Sequence, residues 1–241
     1  SDYEAKNFDS ISQVLEEYYA SKNVYTRIRQ KSVDLRKIVS TALDRNRKKD
    51  QLQEKQLKDT EKRDKYKVYG ELIHTYGYGL EEGAKKLEAL NYYTNEMITI
   101  PLDSQLDAKG NAQKYFDRYN KLKRTYEALI KLTEETKTEI EHLESISTAL
   151  DIALTEDDLV QIKEELIEFG YIKRKKTDKK AKIKSKPFHY RSSDGYDIYV
   201  GKNNYQNEEL TFKFATGNDW WFHAKGMPGS HVIVKSGNDE L

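Results

Sequence analysis

Residues 115–150 read YFDRYNKLKRTYEALIKLTEETKTEIEHLESISTAL. Within them Tyr115, Tyr119, Leu122, Tyr126, Leu129, Thr133, Thr136, Ile140, Leu143, Ser147 and Leu150 recur in alternating steps of four and three. That is a heptad seam held for five repeats, and such a seam needs a second helix to cover it. The stretch Ile11 to Leu72 has no Pro, and no Gly before Gly70. Its apolar residues Ile28, Leu35, Ile38, Ala42 and Leu52 fall near helical spacing, with Lys49 interrupting the stripe. One long helix is expected there, bent near Tyr19-Ala20-Ser21-Lys22-Asn23. Charge pairs the two segments. Arg27 to Lys67 holds 15 basic and 7 acidic residues, whereas Glu127 to Glu168 holds 13 acidic and 3 basic. Opposite fields on two connected helices favour an antiparallel pair. Forty residues of helix at 1.5 Å rise predict a rod about 60 Å long.

Composition agrees. Of 241 residues 34% are charged, against a usual share of about a quarter, and 37% are hydrophobic. The 42 basic and 41 acidic residues nearly cancel, leaving +1. Abundant but balanced charge, with 12 Gly and 3 Pro, favours long solvated helices over full disorder or one large core. No run of about 18 apolar residues could span a membrane, and no signal-peptide pattern is visible. Cys is absent, so disulfides and thiolate metal sites are excluded. The chain opens without Met and ends at Gly237-Asn238-Asp239-Glu240-Leu241, which reads as a fragment of a longer protein.

Five segments are expected. Residues 1–75 form the first coiled-coil helix, and 76–110 a small α+β knob at its tip. Residues 111–170 form the returning helix and a short capped helix, 171–187 a basic linker, and 188–241 a partial α+β domain. In the knob, Tyr76-Gly77-Tyr78-Gly79 stops the first helix, Leu80 to Lys86 forms a short helix, and strands 87–93 and 97–102 join at Thr94-Asn95-Glu96. Gly77-x-Gly79-x-x-x-Gly83 follows a helix, not a strand, which rules out a dinucleotide fingerprint. Thr155-Glu156-Asp157-Asp158 resembles a capping box, Leu159, Ile162 and Leu166 form a buried stripe, and Gly170 sits at the C′ position. The linker holds nine Lys or Arg between Tyr171 and Lys186 against one acid, Asp178, a composition expected to be mobile. The last segment predicts strands 188–191 and 196–200 across Asp194-Gly195 and a helix 204–215 with Leu210 and Phe214 inward. Strands 220–224 and 231–235 flank Gly226-Met227-Pro228-Gly229.

Enzyme signatures are scarce. His74, His142, His189, His223 and His231 show no metal-ligand spacing. Ser230 and His231 are neighbours on a strand and face opposite ways, which prevents a nucleophile–base pair. No catalytic residue, metal, cofactor or small-molecule substrate is assigned. Nucleic-acid contact fits better. Lys173, Arg174, Lys175 and Lys176 open a footprint for phosphates, whose alternative is a solvated tether. Lys202, Asn203, Asn204, Gln206 and Asn207 cluster around Tyr205, as a contact for phosphate, sugar or base would, or as a helix-capping turn would. Trp220, Trp221 and Phe222 should be core on one face and leave one ring exposed on the other. Lys213, His223, Lys225, Ser230 and His231 add polar groups to the same domain.

Residues 193–207, SDGYDIYVGKNNYQN, and 221–233, WFHAKGMPGSHVI, resemble the opening of the NFACT-R domain. Ile28-Arg29-Gln30-Lys31, Tyr69-Gly70-Glu71-Leu72 and Tyr119-Asn120-Lys121-Leu122-Lys123 resemble the preceding coiled coil of the same family, the bacterial RqcH-like proteins often labelled fibronectin-binding proteins. The resemblance covers nearly the whole chain. It implies a cytoplasmic ribosome quality-control factor that binds a large ribosomal subunit carrying stalled peptidyl-tRNA. It implies recruitment of alanyl-tRNA and untemplated alanine tailing. It also implies an arm reaching towards rRNA and the stalk-base proteins, with NFACT-R on RNA. The family's NFACT-N and helix-hairpin-helix modules and the rest of NFACT-R lack counterparts here, so the fragment alone is not expected to tail. The family's old label supplies an alternative, a surface adhesin that binds fibronectin.

Overall fold

The computed structural model describes residues 9–174 and 183–236. The chain is mainly helical, with antiparallel long helices, a small β-hairpin and a following α+β sheet region. It divides into two compact units, residues 1–46 with 139–241, and residues 47–138.

The expected first helix is three: α1 (Ile11–Lys31), α2 (Val33–Thr60) and α3 (Arg63–Tyr76). The bend falls at Ser32, not near residues 19–23. There the Ser32 hydroxyl donates to the Arg29 carbonyl and accepts from Arg36 Nε, side-chain bonds that compete with the regular ladder. α4 (Ala108–Ile152) runs unbroken for 45 residues, about 68 Å of helix at 1.5 Å per residue. All eleven positions of its heptad seam are buried or half-buried.

The first unit has its core where α1 and α2 meet the end of α4 and α5 (Glu156–Glu168). Ile28, Leu35, Val39 and Leu43 pack with Leu143, Ile146 and Leu150, and with Leu159, Ile162 and Leu166 from α5. The expected stripe missed Val39 and Leu43. Arg36 reaches Asp151 at 2.5 Å and the Leu150 carbonyl at 2.6 Å. Arg27 and Lys31 reach Glu156 at 3.0 and 2.5 Å, and the Lys31 hydrogen bond and charge hold that carboxyl below its ordinary range. The expected capping box is present. Thr155 Oγ1 accepts from the Asp158 N–H at 3.2 Å, and Asp158 Oδ2 accepts from the Thr155 N–H at 3.0 Å. At the other end Gly170 has φ +80°, while the Tyr171 N–H reaches the Leu166 carbonyl and the Gly170 N–H that of Ile167. This is a Schellman cap, and it turns Tyr171 and Ile172 back onto the core.

The second unit pairs the end of α2 and α3 with the first half of α4. Lys137 meets Glu54, Arg63 lies over Tyr126, and Tyr66 stacks on Tyr115, an order that descends on one helix as it rises on the other. A Cβ on Gly70 would come 2.8 Å from the Phe116 ring, so the helices approach this closely only with glycine there. Leu72 and Ile73 pack on Leu87, Ala89 and Ile100 of a hairpin, β1 (Lys86–Asn91) and β2 (Glu96–Pro101), in register Leu87↔Ile100. Leu80 to Lys86 is not the expected short helix, and Lys86 already belongs to β1. One 3-10 turn at Gly77–Gly79 is followed by Gly83 at φ +84°, which takes the chain off any helical path.

In the last region β3 (Phe188–Arg191), β4 (Asp197–Val200), β5 (Trp220–Phe222) and β6 (Val232–Lys235) form an antiparallel sheet in the order β3-β4-β6-β5. The expected helix 204–215 is α6 (Asn204–Glu209) followed by a π turn, Leu210–Phe214, closed by the Ala215 N–H on the Leu210 carbonyl. Leu210 is buried as expected. Phe214 is exposed on the rim against the Tyr199 ring, because the wider turn rotates it outward.

Candidate nucleic-acid interface

The amide-rich turn is built inward. Asn203 is the N-cap of α6: its Oδ1 accepts from the Gln206 N–H at 3.0 Å, while its Nδ2 donates to Gln161 of α5 at 2.7 Å. Gln206 Nε2 donates to the same Gln161 oxygen at 2.9 Å and to Ser185 at 2.7 Å. Lys202 Nζ meets Asp158 at 2.6 Å, and Ser185 donates to that carboxylate oxygen as well. Burial pushes the Asp158 carboxyl up, but the bonds from Lys202, Ser185 and the Leu154 N–H, with the Lys202 charge, outweigh it and hold it low. Asn204 Nδ2 donates to Ser145 and to Glu165, which also meets His142 Nε2 at 3.0 Å. The sheet domain is thereby latched to α4 and α5 by a buried polar network.

This corrects the expectation for Lys202, Asn203, Gln206 and Asn207 as outward contacts. All four are buried, and their polar atoms serve the latch or the loop behind it. Asn207 donates to the Gly229 carbonyl at 3.1 Å and accepts from the His231 N–H at 2.9 Å. A Cβ at Gly201 would lie 2.1 Å from the same Asn207 oxygen, so glycine is required beside it. Asn204 is half-buried and also faces inward.

Other expected residues remain at the surface. Lys213 and Lys225 are exposed, and His223, Ser230 and His231 are half-buried. Lys173 is exposed and Arg174 meets Glu164 at 2.5 Å, while Lys175 and Lys176 lie outside the described residues. Of the linker expected to be mobile, Tyr171, Ile172 and Ser185 are packed or bonded. Trp220, Trp221 and Phe222 are 44%, 47% and 50% exposed, so none is core as expected. β5 is an edge strand, and only the face carrying the buried Ile233 packs under the π turn. On the other face Trp220 and Phe222 stack with centroids 6.5 Å apart.

The histidines form a network and not a reactive dyad. Trp221 Nε1, a donor only, donates to Thr211 Oγ1 at 3.1 Å, and the same hydroxyl shares a hydrogen bond with His231 Nδ1 at 2.8 Å. Burial, then the His223 charge, push His231 below its ordinary value. The His223 and His231 rings are 4.8 Å apart, and His231 is oriented by Thr211 rather than Ser230. Among the described residues no group of three or more His, Asp or Glu is placed to hold a metal. A cleft of about 800 Å³ between α4, α5, α6 and the 223–231 loop is lined in part by Glu141, Glu144, Glu165, Glu168 and Glu208. That acidic wall repels phosphate. Lys213 and Lys225 are the exposed cations among the expected residues of the sheet domain. Sequence reasoning missed the receiving residues Asp158, Gln161 and Glu165, because an acidic amphipathic helix gives no sign that its polar face is buried.

The chain matches the family described as NFACT N-terminal and middle domains over residues 1–185, and the NFACT protein RNA binding domain over 186–241. It belongs to the NFACT family. It is 44% identical over 232 residues to the Rqc2 homolog RqcH of Streptococcus pneumoniae (serotype 2), covering 96% of this chain and 42% of that protein. Against the Rqc2 homolog RqcH of Bacillus subtilis it is 37% identical over 240 residues, covering 97% of this chain and 42% of that protein. The solved C-terminal part of the fibronectin/fibrinogen-binding protein of Streptococcus suis superposes with TM-score 0.66 at 38% identity, covering 89% of this chain and 73% of that one. The chain thus spans about two fifths of the length of the curated relatives it matches. No helix among the described residues is long and apolar enough to cross a membrane.

Proposed function

We propose that this chain is the arm and RNA-contacting part of a cytoplasmic ribosome quality-control factor. It binds obstructed large ribosomal subunits and tRNA, and supports untemplated alanine tailing by the longer protein. The observation that carries this is the latch: a domain of RNA-binding type is fixed by Lys202–Asp158 and Asn203/Gln206–Gln161 to a stiff helical support. Lys213, Lys225 and the half-exposed rings of Trp220 and Phe222 lie at the surface. Cations attract phosphate, and open rings stack on unpaired bases. The relatives named RqcH support the same role. No covalent step is asked of these residues; the ribosome supplies the peptidyl-transfer centre.

Co-sedimentation with large subunits over a salt range tests this. Binding should weaken steeply with salt, and Lys213→Gln with Lys225→Gln should weaken it further while His223→Ala leaves most of it. Affinity that stays flat with salt refutes phosphate contact. A second reading, binding of fibronectin, draws on the name of the Streptococcus suis protein. Tight capture of fibronectin, with none of ribosomes, would favour it.

A further inference from the structure

On the side where the sheet domain is latched, the chain carries a cleft whose charge is opposite to what RNA contact needs. Glu141 and Glu144 of α4, Glu165 and Glu168 of α5 and Glu208 of α6 border it, and no Lys or Arg does among the described residues. A cleft lined by charge of one sign focuses its field and concentrates counter-ions. His231 borders it too, and burial holds that ring below its ordinary value, so it adds no positive charge at neutral pH. Acids alone are ordinary on a solvated surface, but Glu165 is not solvated: its side chain is 1% exposed. Its Oε1 accepts from Asn204 Nδ2 at 2.6 Å and meets His142 Nε2 at 3.0 Å. Its Oε2 is buried and has no hydrogen-bond partner among the described residues. A buried carboxylate oxygen without a donor is costly. A donor entering from the cleft supplies what the chain itself does not.

The lining narrows the ligand. An anion is repelled. A single metal ion is poorly served, because among the described residues no three of His, Asp and Glu come together to hold one. The acids are instead spread over three helices. Glu141 and Glu144, like Glu165 and Glu168, stand three residues apart, an axial step of about 4.5 Å. Carboxylates so spaced suit a ligand whose own positive charges are spaced along a chain. The same cleft has apolar surface: Phe169 and Met227 are exposed, with Tyr205 and Pro228 beside them. Methylene groups pack on such surface, and an aromatic face attracts an ammonium. The volume of about 800 Å³ is within the usual range of small-molecule sites, roughly 300–1,000 Å³.

We propose that this cleft binds a linear aliphatic polyamine, with its ammonium groups among the glutamates and its methylenes against Phe169 and Met227. The site is independent of the RNA-contacting role proposed above, and no RNA enters its test. The chain has two methionines, Met227 in the cleft and Met97 on β2 of the hairpin, so each methyl is a local probe. With the methionine methyls carbon-13 labelled, spermidine should shift the Met227 resonance saturably and leave Met97 in place. Glu141→Gln/Glu208→Gln, which touches no bond of the latch, should weaken spermidine about tenfold. Glu127→Gln/Glu134→Gln removes the same charge from exposed positions of α4 outside the cleft and should leave affinity unchanged. Equal weakening by both pairs, or parallel shifts of both methyls, reduces the effect to general charge attraction and overturns the site. Pentylamine, with one ammonium, should bind about tenfold more weakly than cadaverine, which has two on a similar stem. Equal affinity for the two amines overturns the polyamine in favour of a singly charged, lysine-like ligand. Displacement of spermidine by an equal concentration of magnesium overturns it in favour of a metal ion. An unmoved Met227 at millimolar spermidine refutes the site outright.

Discussion

Lys202 and Asp158 show how one pair of side chains can settle what a motif does. The ammonium is 9% and the carboxylate 1% exposed, and they meet at 2.6 Å with Ser185 as a further donor. Removing one partner strands a buried charge. Lys202→Met should destabilise the sheet domain's docking by about 3–5 kcal/mol. Lys202→Met/Asp158→Asn should cost less than the single change, because no unpaired charge remains. Differential scanning calorimetry of the two variants checks both; equal losses would deny the pair its role. Gly201→Ala is expected to destabilise the same region, since Asn207, bonded on both sides, cannot give way.

At the scale of the element, the seam of the coiled coil is filled unevenly. Thr133 is buried, and among the described residues its hydroxyl has no partner. Thr133→Val keeps the shape and removes the unpaired hydroxyl, so the chain should become more stable by about 1 kcal/mol. Urea unfolding with a raised midpoint and unchanged m-value would bear this out. Leu143→Ala, at a fully buried seam position, should cost about 2–5 kcal/mol by the same measurement. The heptads of α4 were legible because every seam position recurs in strict steps and tolerates Tyr or Thr. The partner's stripe was legible only in part. Leu52 is exposed while the neighbouring Gln53 is buried, since the α1–α2 seam runs through polar Ser32, Asn46, Gln53 and Thr60, which apolar periodicity does not register.

For the chain as a whole, acid should loosen the first unit. Asp158 and Asp219 are both held below their ordinary value of 3.8: burial raises each, but hydrogen bonds, above all from Lys202 and Lys235 respectively, prevail. Their contribution is complete above that value and is lost as pH falls through their lowered folded values. Melting temperature followed from pH 6 to pH 2 should drop below about pH 4, and less so in Lys202→Met/Asp158→Asn. At the alkaline end, burial and Glu139 push Tyr171 up to about 12, so stability should also decline as pH climbs from 10 towards 12.

The sequence by itself determined the elements that local rules govern. Heptad spacing, opposed charge, the Thr155 capping box and Gly170 each act within a few residues or along one helix. The family resemblance in residues 193–207 and 221–233 was legible for the same reason, as contiguous motif. Only the tertiary structure decided which way those residues face. Lys202, Asn203 and Gln206 could serve RNA or a neighbouring helix equally well, because a polar side chain carries no mark of its partner. Asp158 and Gln161 lie more than forty positions upstream. Folding brings them within hydrogen-bond reach, and the cost of leaving buried polar groups unpaired then assigns the turn to the protein's own interior.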